Sequence, residues 1–505
     1  MALQPDYPAF EARYASGQNA LVYMRVIADT ETPVSLMQKL ARGRKNAFVL
    51  ESVTGGEVRG RYSIIGMKPD LVWQCNGTTS QSNRSALFDE DAFAQDTDDP
   101  LSALRSLLDE SHIDFPDHLP PMSAGLFGYL GYDMIRLVEH LPNINPDPLG
   151  LPDAVMMRPS VVVIVDGVKG ELTIVSPAWV QDSVSAKTAY NMAAERVMAA
   201  ARDLDRPFAE PLVELPSETQ AETPVSNTPK DAYLDIVEQA KDYIRAGDIF
   251  QVVPSQRWTR PFPLPPFALY RALRRTNPSP YMFYFDFGPY QVVGASPEIL
   301  VNVSGGTVTI RPIAGTRPRG ASPVEDKALE LDLLADEKEL AEHLMLLDLG
   351  RNDVGRVAKT GTVKPTDQFI IERYSHVMHI VSNVVGDLSD DHDALSALLA
   401  GLPAGTVSGA PKVRAMEIID ELETEKRGVY GGGVGYFSSN GDMDICIALR
   451  TGVIKNEKLY IQAGGGVVYD SDPETEFEET VNKSKALLKA ADDAAEFVRG
   501  REGLN

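Results

Sequence analysis

The sequence predicts an α+β fold, with largely antiparallel sheets flanked by helices. Three observations carry that expectation. Strand-like runs come in hairpin-like clusters, helical segments stand apart from them instead of alternating strictly with single strands, and no internal repeat of fixed period is present. With 505 residues, 43% hydrophobic and 24% charged, the chain has the composition of a globular protein. Its length suits two to three domains or one large interleaved core.

The first half supplies NAFVLES (46–52), GRYSIIG (60–66), SVVVIVDG (160–167) and GELTIVSP (170–177), apolar runs bounded by turn residues. A helical stretch then ends near Asp205. Residues 205–229 combine Pro, Glu, Ser and Thr with little apolar periodicity and read as a linker. Thr228 is the expected N-cap of the next helix, with Pro229 first in it and Asp231 in its first turn. Leu234, Val237 and Ile244 give that helix a buried stripe, and Gly247 ends it. YMFYFDF, YQVVGAS, EILVNVS and GTVTIRPI add further hairpin-like strands. The run DEKELAEHLMLLDL (336–349) predicts a helix stopped by Gly350, with Leu340, Leu344 and Leu347 as one apolar stripe. Glu342 shares a second face with Met345 and Leu349, which turns it toward the interior. Near the carboxyl end Asp472 caps a helix that begins at Pro473, and Glu476, Glu479 and Lys483 follow on one face.

Acidic residues outnumber basic ones 72 to 48, for a net charge of −24. Such a surface repels phosphate backbones, so nucleic acid is not an expected partner. An anionic substrate needs a local positive island or a metal ion. No apolar run reaches the roughly 18 residues of a membrane span. The start MALQPDYPAF lacks the basic and apolar regions of a secretory signal. Cys75 and Cys446 are the only cysteines, which argues for a reducing compartment and against a disulfide framework or thiolate metal cluster. A cytoplasmic location is the expectation. Several motifs fail. The glycine runs at 431–436 and 464–469 end in tyrosine where a dinucleotide loop needs glycine, and no Walker lysine follows. Ser408 stands one place late for a nucleophile elbow, and no His-Glu-x-x-His zinc motif occurs.

Carboxylates on interior-facing helix positions remain. Glu342, Glu476 and Glu479 have no Cys or His pair nearby, so a hard cation such as Mg²⁺ suits them. The same residues also fit a solvated helix surface, with acids favoured in a first turn. The glycines around 464–466 and 431–433 can cradle a carboxylate on backbone N–H groups, with Arg450 as a bidentate partner; they also fit bulges or close packing. His379 fits a satisfied core residue as well as a catalyst, and Cys446 fits a small buried hydrophobe.

IAGTRPRG, DEKELAEHLMLLDLGRNDVG, RYSHVMHIVS, GTVSGAPKVRAMEII, YGGGVGYF and IQAGGGVVYDS occur in this order. Together they resemble the chorismate-utilising enzymes, most closely the anthranilate synthase large-subunit family. The similarity covers residues 231–498 as a chorismate-binding catalytic region. A weaker match covers 29–176, the family's tryptophan-binding amino-terminal region. The resemblance implies that family's fold and a Mg²⁺-dependent reaction. In it ammonia adds at carbon 2 of chorismate as the carbon 4 hydroxyl leaves, and loss of pyruvate then gives anthranilate. It implies that Glu342 and Glu479 hold Mg²⁺ with Glu476 close by, and that Gly464, Gly465, Gly466, Tyr430 and Arg450 hold the substrate carboxylates. Gly315 and Thr316 would line the same pocket, with Thr406 beside it. Glu298 matches the general acid for the departing hydroxyl, a task that requires a raised pKa. His379 would assist that step or the later elimination, and Lys483 would add positive charge.

Two positions bear on specificity. Gln251 stands where water-adding relatives carry a lysine base, and Ala314 where aminodeoxychorismate synthases carry a lysine nucleophile. Glu51, Ser52, Asn277, Pro280, Tyr281 and Met282 resemble the family's feedback site for L-tryptophan, with Arg61 as a further contributor. No glutaminase segment accompanies these motifs, so the resemblance implies a separate glutamine amidotransferase subunit as the ammonia source, in a hetero-oligomer. Two other readings stay open on the sequence: an aminodeoxyisochorismate synthase of the phenazine type, and a non-catalytic tryptophan-binding regulator on the same scaffold.

Overall fold

The computed structural model describes residues 2–52, 60–206, 223–374 and 377–498. Strand pairing within them is antiparallel throughout. The strands form two large sheets. The first runs through Ala20–Ile27, Glu171–Ala178, Ala154–Asp166, Tyr62–Asn76, Ala47–Glu51, Tyr281–Asp286, Tyr290–Ser296, Thr451–Lys455, Lys458–Gly464 and Ser255–Pro261. The second leaves the start of Ala154–Asp166 and continues through Gly125–Leu130, Gly433–Ser438, Met443–Ile447, Ile299–Ser304, Thr307–Ile310 and Val377–Asp387. Lys364–Arg373 and Ile313–Pro318 flank that last strand. Each sheet mixes strands from both sides of residues 205–229: Ala47–Glu51 pairs with Tyr281–Asp286, and Gly125–Leu130 with Gly433–Ser438.

Alternation along the strands explains the layers. In Tyr281–Asp286, Met282 and Tyr284 join the core under the helices, while Phe283 and Phe285 join the core between the sheets. Burial on both faces is why these strands read as continuous apolar runs. Helices Ala186–Leu204, Pro266–Thr276 and Pro473–Asp493 cover the outer face of the first sheet. Helices Pro100–Glu110, Glu337–Gly355 and Ala394–Gly401 cover the second. Among the described residues no helix is long and apolar enough to cross a membrane.

Five local expectations are corrected. The helix after residues 205–229 spans Lys230–Ala246 with Pro229, not Thr228, at its cap; the Thr228 hydroxyl turns to Asn227 Oδ1 instead. Its buried face is Tyr233, Ile236, Val237 and Ala240, with Ile244 packed against the same cluster as expected, and only Leu234 lies off that face. Part of the expected linker is a strand, Val225–Ser226, paired with Trp258 and Thr259; residues 207–222 of that segment lie outside the described residues. Gly350 does not stop its helix, which continues to Gly355, because Gly350 is packed against Ile310 and Pro312. The buried stripe there is His343, Leu346, Leu347, Gly350 and Val354, and Leu344 is half exposed. By contrast, Asp472 caps Pro473–Asp493 by accepting from Thr475 N–H, and Gly247 closes its helix at φ 85°.

Candidate active site and a second cavity between the sheets

Two connections cross between the sheets side by side. Residues 297–298 lead from Tyr290–Ser296 into Ile299–Ser304, and residues 448–450 lead from Met443–Ile447 into Thr451–Lys455. Glu298 lies in one and Arg450 in the other. The Ile447 N–H donates to the Glu298 carbonyl at 3.0 Å, and the Ala295 N–H donates to the Arg450 carbonyl at 3.2 Å. Glu298 is buried, and burial pushes its carboxyl up to about 8; the Thr406 hydroxyl, 3.3 and 3.4 Å from its two oxygens, opposes that only in part. Glu298 is therefore protonated at neutral pH. Arg450 is half-buried, its desolvation lowers its pKa, and no acidic side chain pairs with it among the described residues. A desolvated guanidinium of this kind attracts a carboxylate from outside the chain.

His379 stands on Val377–Asp387, opposite Thr316 of Ile313–Pro318. Its Nδ1 is 2.9 Å from the Gly315 carbonyl and 3.1 Å from Thr316 Oγ1. Burial, with Arg450 nearby, lowers its pKa and favours the neutral ring. With Nδ1–H donating to Gly315, the Nε2 lone pair is left to take a proton. Gly315 has φ +67°, and a side chain there would also press on Glu339 Oε2 at 3.2 Å. Ala314, its neighbour, pairs with Ile380.

The glycines at 464–466 are dictated by close approach. A Cβ on Gly464 would come within 2.9 Å of Tyr430 Oη, one on Gly465 within 3.1 Å of Glu476 Oε2, and one on Gly466 within 2.8 Å of Gln251 Nε2. Gln251 Nε2 in turn donates to Glu342 Oε1 at 3.0 Å. Glu342 is raised above the ordinary glutamate range by burial and then by Glu339 and Glu479. Burial also pushes Glu476 up to about 7, opposed by the Ser471 hydroxyl that donates to its Oε1 at 2.7 Å. Lys483 bridges Glu479 Oε1 at 2.7 Å and the Gly464 carbonyl at 3.0 Å. The structure thus draws together Gln251, Glu342, Tyr430, Gly464, Gly465, Gly466, Glu476, Glu479 and Lys483, as it does Glu298, Thr406, His379, Gly315, Thr316 and Arg450.

Among the described residues, no three His, Cys, Asp or Glu side chains stand together as a ready-made metal cage. The donor set fits Mg²⁺, which takes one or two carboxylates and completes its shell with water and substrate oxygens. Glu476 Oε2 is buried with no protein hydrogen-bond partner, an oxygen that a cation in this cluster would satisfy.

Sequence reading missed the ion pair that holds these segments. Arg427 is buried and donates to Glu423 and to the carbonyls of Val407 and Val253, both at 2.6 Å. It thereby fixes the chain next to Thr406 and the chain leading from Gln251, and its guanidinium lies over the Tyr132 and Tyr430 rings. Nothing in its local sequence marks it, because its partners other than Glu423 and Tyr430 are distant along the chain. Replacing Arg427 by methionine strands a buried Glu423, and urea unfolding should record a loss of about 3–5 kcal/mol.

A second cavity opens between the sheets. Leu50, Glu51, Ser52, Tyr62, Pro280, Tyr281, Met282 and Phe283 form one wall, and Val434, Tyr436, Asp444 and Cys446 the other. Glu51 accepts from the Tyr270 hydroxyl and, at 2.6 Å, from Arg274 Nε. Two expected members lie elsewhere. Arg61 forms a fork with Asp166 at 2.8 Å, and its neighbour Tyr62 lines the cavity instead. Asn277 caps the end of Pro266–Thr276 and does not line the wall. Both misplacements follow from strand and helix ends, where side-chain direction is set by packing.

The class of protein follows from comparison with known families. The model of the chorismate binding enzymes matches residues 46–489, and the chain belongs to that family. Within it the chain stands with anthranilate synthase component 1. It is 69% identical over 496 residues to "Anthranilate synthase component 1" of Cereibacter sphaeroides, covering 98% of this chain and 99% of that one. It is 49% identical to the protein of that name from Pseudomonas putida, covering 92% and 93%. The crystal structure of anthranilate synthase component I from Streptococcus pneumoniae is similar at a TM-score of 0.73 and 38% identity, covering 86% of this chain and 94% of that one. A menaquinone-specific isochorismate synthase from Escherichia coli, at 19% identity and a TM-score of 0.70, shares the fold.

Proposed function

We propose that this chain is the chorismate-converting subunit of an anthranilate synthase: it turns chorismate and ammonia into anthranilate and pyruvate, with Mg²⁺ bound, and is inhibited by L-tryptophan. The observation that carries the reading is Glu298, a carboxylic acid kept protonated at neutral pH in the crossing next to the one that carries Arg450. Glu298 gives its proton to the departing hydroxyl, and Thr406 keeps the carboxyl aimed. Arg450 and the N–H of Gly466 receive substrate carboxylates, while the Gly465 N–H is held by the Pro254 carbonyl at 3.2 Å. His379, neutral with Nε2 open, takes up the ring proton lost on aromatisation. Glu342 and Glu479 would hold the Mg²⁺ with Glu476 close by, and Gln251 orients Glu342. The ion, when bound, draws electron density into the ring carboxylate and so favours attack at carbon 2. Gln251 cannot serve as a base for water, and Ala314 leaves no lysine nucleophile, which supports ammonia as the attacking group.

The relatives' designation as component 1 supports a second component, and a glutamine amidotransferase subunit is the partner that would supply ammonia. The test is anthranilate fluorescence from the purified chain with chorismate and Mg²⁺. Product is expected with ammonium and not with glutamine alone. Chorismate consumed without release of anthranilate or pyruvate would replace the reading with a phenazine-type synthase.

The cavity between the sheets is the proposed tryptophan site, with Glu51 facing the α-ammonium group. Glu51→Gln removes one charge-assisted hydrogen bond of about 1.5–3 kcal/mol. The tryptophan concentration for half-inhibition should rise about 10- to 100-fold, as read from inhibition curves. An unchanged curve would move the inhibitor elsewhere.

A further inference from the structure

The turn of helix Glu337–Gly355 that carries Glu342 is tied to the sheet by one polar side chain. Between Glu337 and Met345, His343 is the only buried residue, and the apolar stripe that packs the rest of the helix begins at Leu346. His343 Nε2 lies 2.7 Å from Ser382 Oγ, and its ring meets the Phe369 ring edge-on, with centroids 4.9 Å apart. Ser382 is fully buried on Val377–Asp387, the strand that carries His379. Its hydroxyl oxygen also accepts from the Phe369 N–H at 3.0 Å. Its own N–H donates to the Pro312 carbonyl at 3.2 Å, directly before Ile313–Pro318, the strand of Gly315 and Thr316. Ser382 thus joins the helix of Glu342 to the strands of His379 and Gly315.

Two features of this joint cost stability. Phe369 sits at φ 54°, a left-handed conformation unfavourable for a bulky side chain, at the bulge where Lys364–Arg373 shifts register between Asp367 and Ile370. His343 Nδ1 is buried with no hydrogen-bond partner. An apolar residue at 343 would avoid that second cost, and Leu346 and Leu347 are buried on the same helix. What an apolar residue would not supply is direction, since a single buried polar contact fixes register where apolar packing tolerates rotation. Successive residues of a helix point about 100° apart, so the rotation that His343 fixes also sets where Glu342 points. From this we infer that His343 is a positioning residue for the metal: its bond to Ser382 sets the direction in which Glu342 presents its carboxylate to a divalent cation. The inference rests on the proposed Mg²⁺ site.

The experiment compares the full-length wild type with His343→Leu, which keeps the burial and loses the hydrogen bond, and with His343→Gln, which keeps a nitrogen able to reach Ser382. Mg²⁺ is titrated calorimetrically with chorismate present and no ammonia source, so that the reading is binding and not turnover. His343→Leu should bind Mg²⁺ about 10-fold more weakly or worse, the range for residues that orient a metal ligand. His343→Gln should stay within about two-fold of the wild type. Without Mg²⁺, His343→Leu should melt no lower than the wild type, because the unpaired nitrogen is gone, while amide hydrogen exchange should quicken in residues 337–345. Should His343→Leu fail to fold, Ser382→Ala breaks the same bond from the strand and should give the same loss of affinity. A folded His343→Leu that binds Mg²⁺ as the wild type does would overturn the inference. So would an equal loss in His343→Gln, or a loss that merely follows a lowered melting temperature. A wild type that binds no Mg²⁺ and turns over in excess chelator would instead overturn the metal site, and the inference with it.

Discussion

Replacing Glu298 by glutamine should lower kcat about 10²- to 10⁴-fold, the range that a positioned general acid supplies. The amide keeps the shape of the side chain and its contact with Thr406 but has no proton to give. KM for chorismate should move little, because Arg450 and the glycine cradle are untouched. In the wild type, kcat should fall as pH rises through about 8, where Glu298 ionises, and Glu298→Gln should lose that limb. Stability should respond in a linked way. The folded-state value lies above the ordinary glutamate value of 4.5, so the folded protein holds a proton that the unfolded chain releases. The contribution of Glu298 to stability is thus intact below about 4.5 and declines as pH rises toward about 8. Glu298→Gln should then gain in melting temperature over the wild type between pH 5 and pH 8 while being nearly inactive. A variant that is less stable at pH 8 and still turns over would remove Glu298 from the role of acid.

Glu479→Gln and Glu342→Gln should each cost on the order of 10²-fold or more in activity at limiting Mg²⁺, with part of the loss recovered at high Mg²⁺. The two carboxylates come from different helices, Pro473–Asp493 and Glu337–Gly355, and Glu479 is near enough to raise the pKa of Glu342. A shared cation relieves that repulsion; halving the charge weakens its hold. Glu342→Gln should show the larger effect, because Glu342 is the more buried and also anchors Gln251. Isothermal titration of the wild type with Mg²⁺ and a substrate analogue, set against each variant, checks the affinity directly. Full activity in excess chelator would exclude the metal altogether.

Much of this protein is legible in its sequence. Clustered apolar runs gave the antiparallel strands, and Asp472-Pro473 marked a helix start because capping depends on the few residues beside it. Glu342 could be turned inward from helical periodicity alone. The ordered motifs contain His379 and the glycines of 464–466, and the resemblance added Glu298. The misreadings differ in origin. Thr228 at a helix start and Gly350 inside a helix rested on local preferences worth about 1 kcal/mol or less, which yield to packing. Arg61 and Asn277 came from the resemblance, and the fold turns Arg61 to Asp166 and leaves Asn277 at a helix end.

What the sequence by itself determined is therefore which segments form strands and helices and which residue types are available for chemistry, since both follow from short-range patterning and side-chain character. Tertiary structure alone decided how these residues meet. Glu51 is paired with Met282, Gly433 with Leu130, and Arg427 with the carbonyls of Val253 and Val407. Each such contact closes a long loop whose entropic cost no local pattern offsets. It exists because two sheets bury their facing sides together, and that burial brings Glu298 and Arg450 into adjacent crossings.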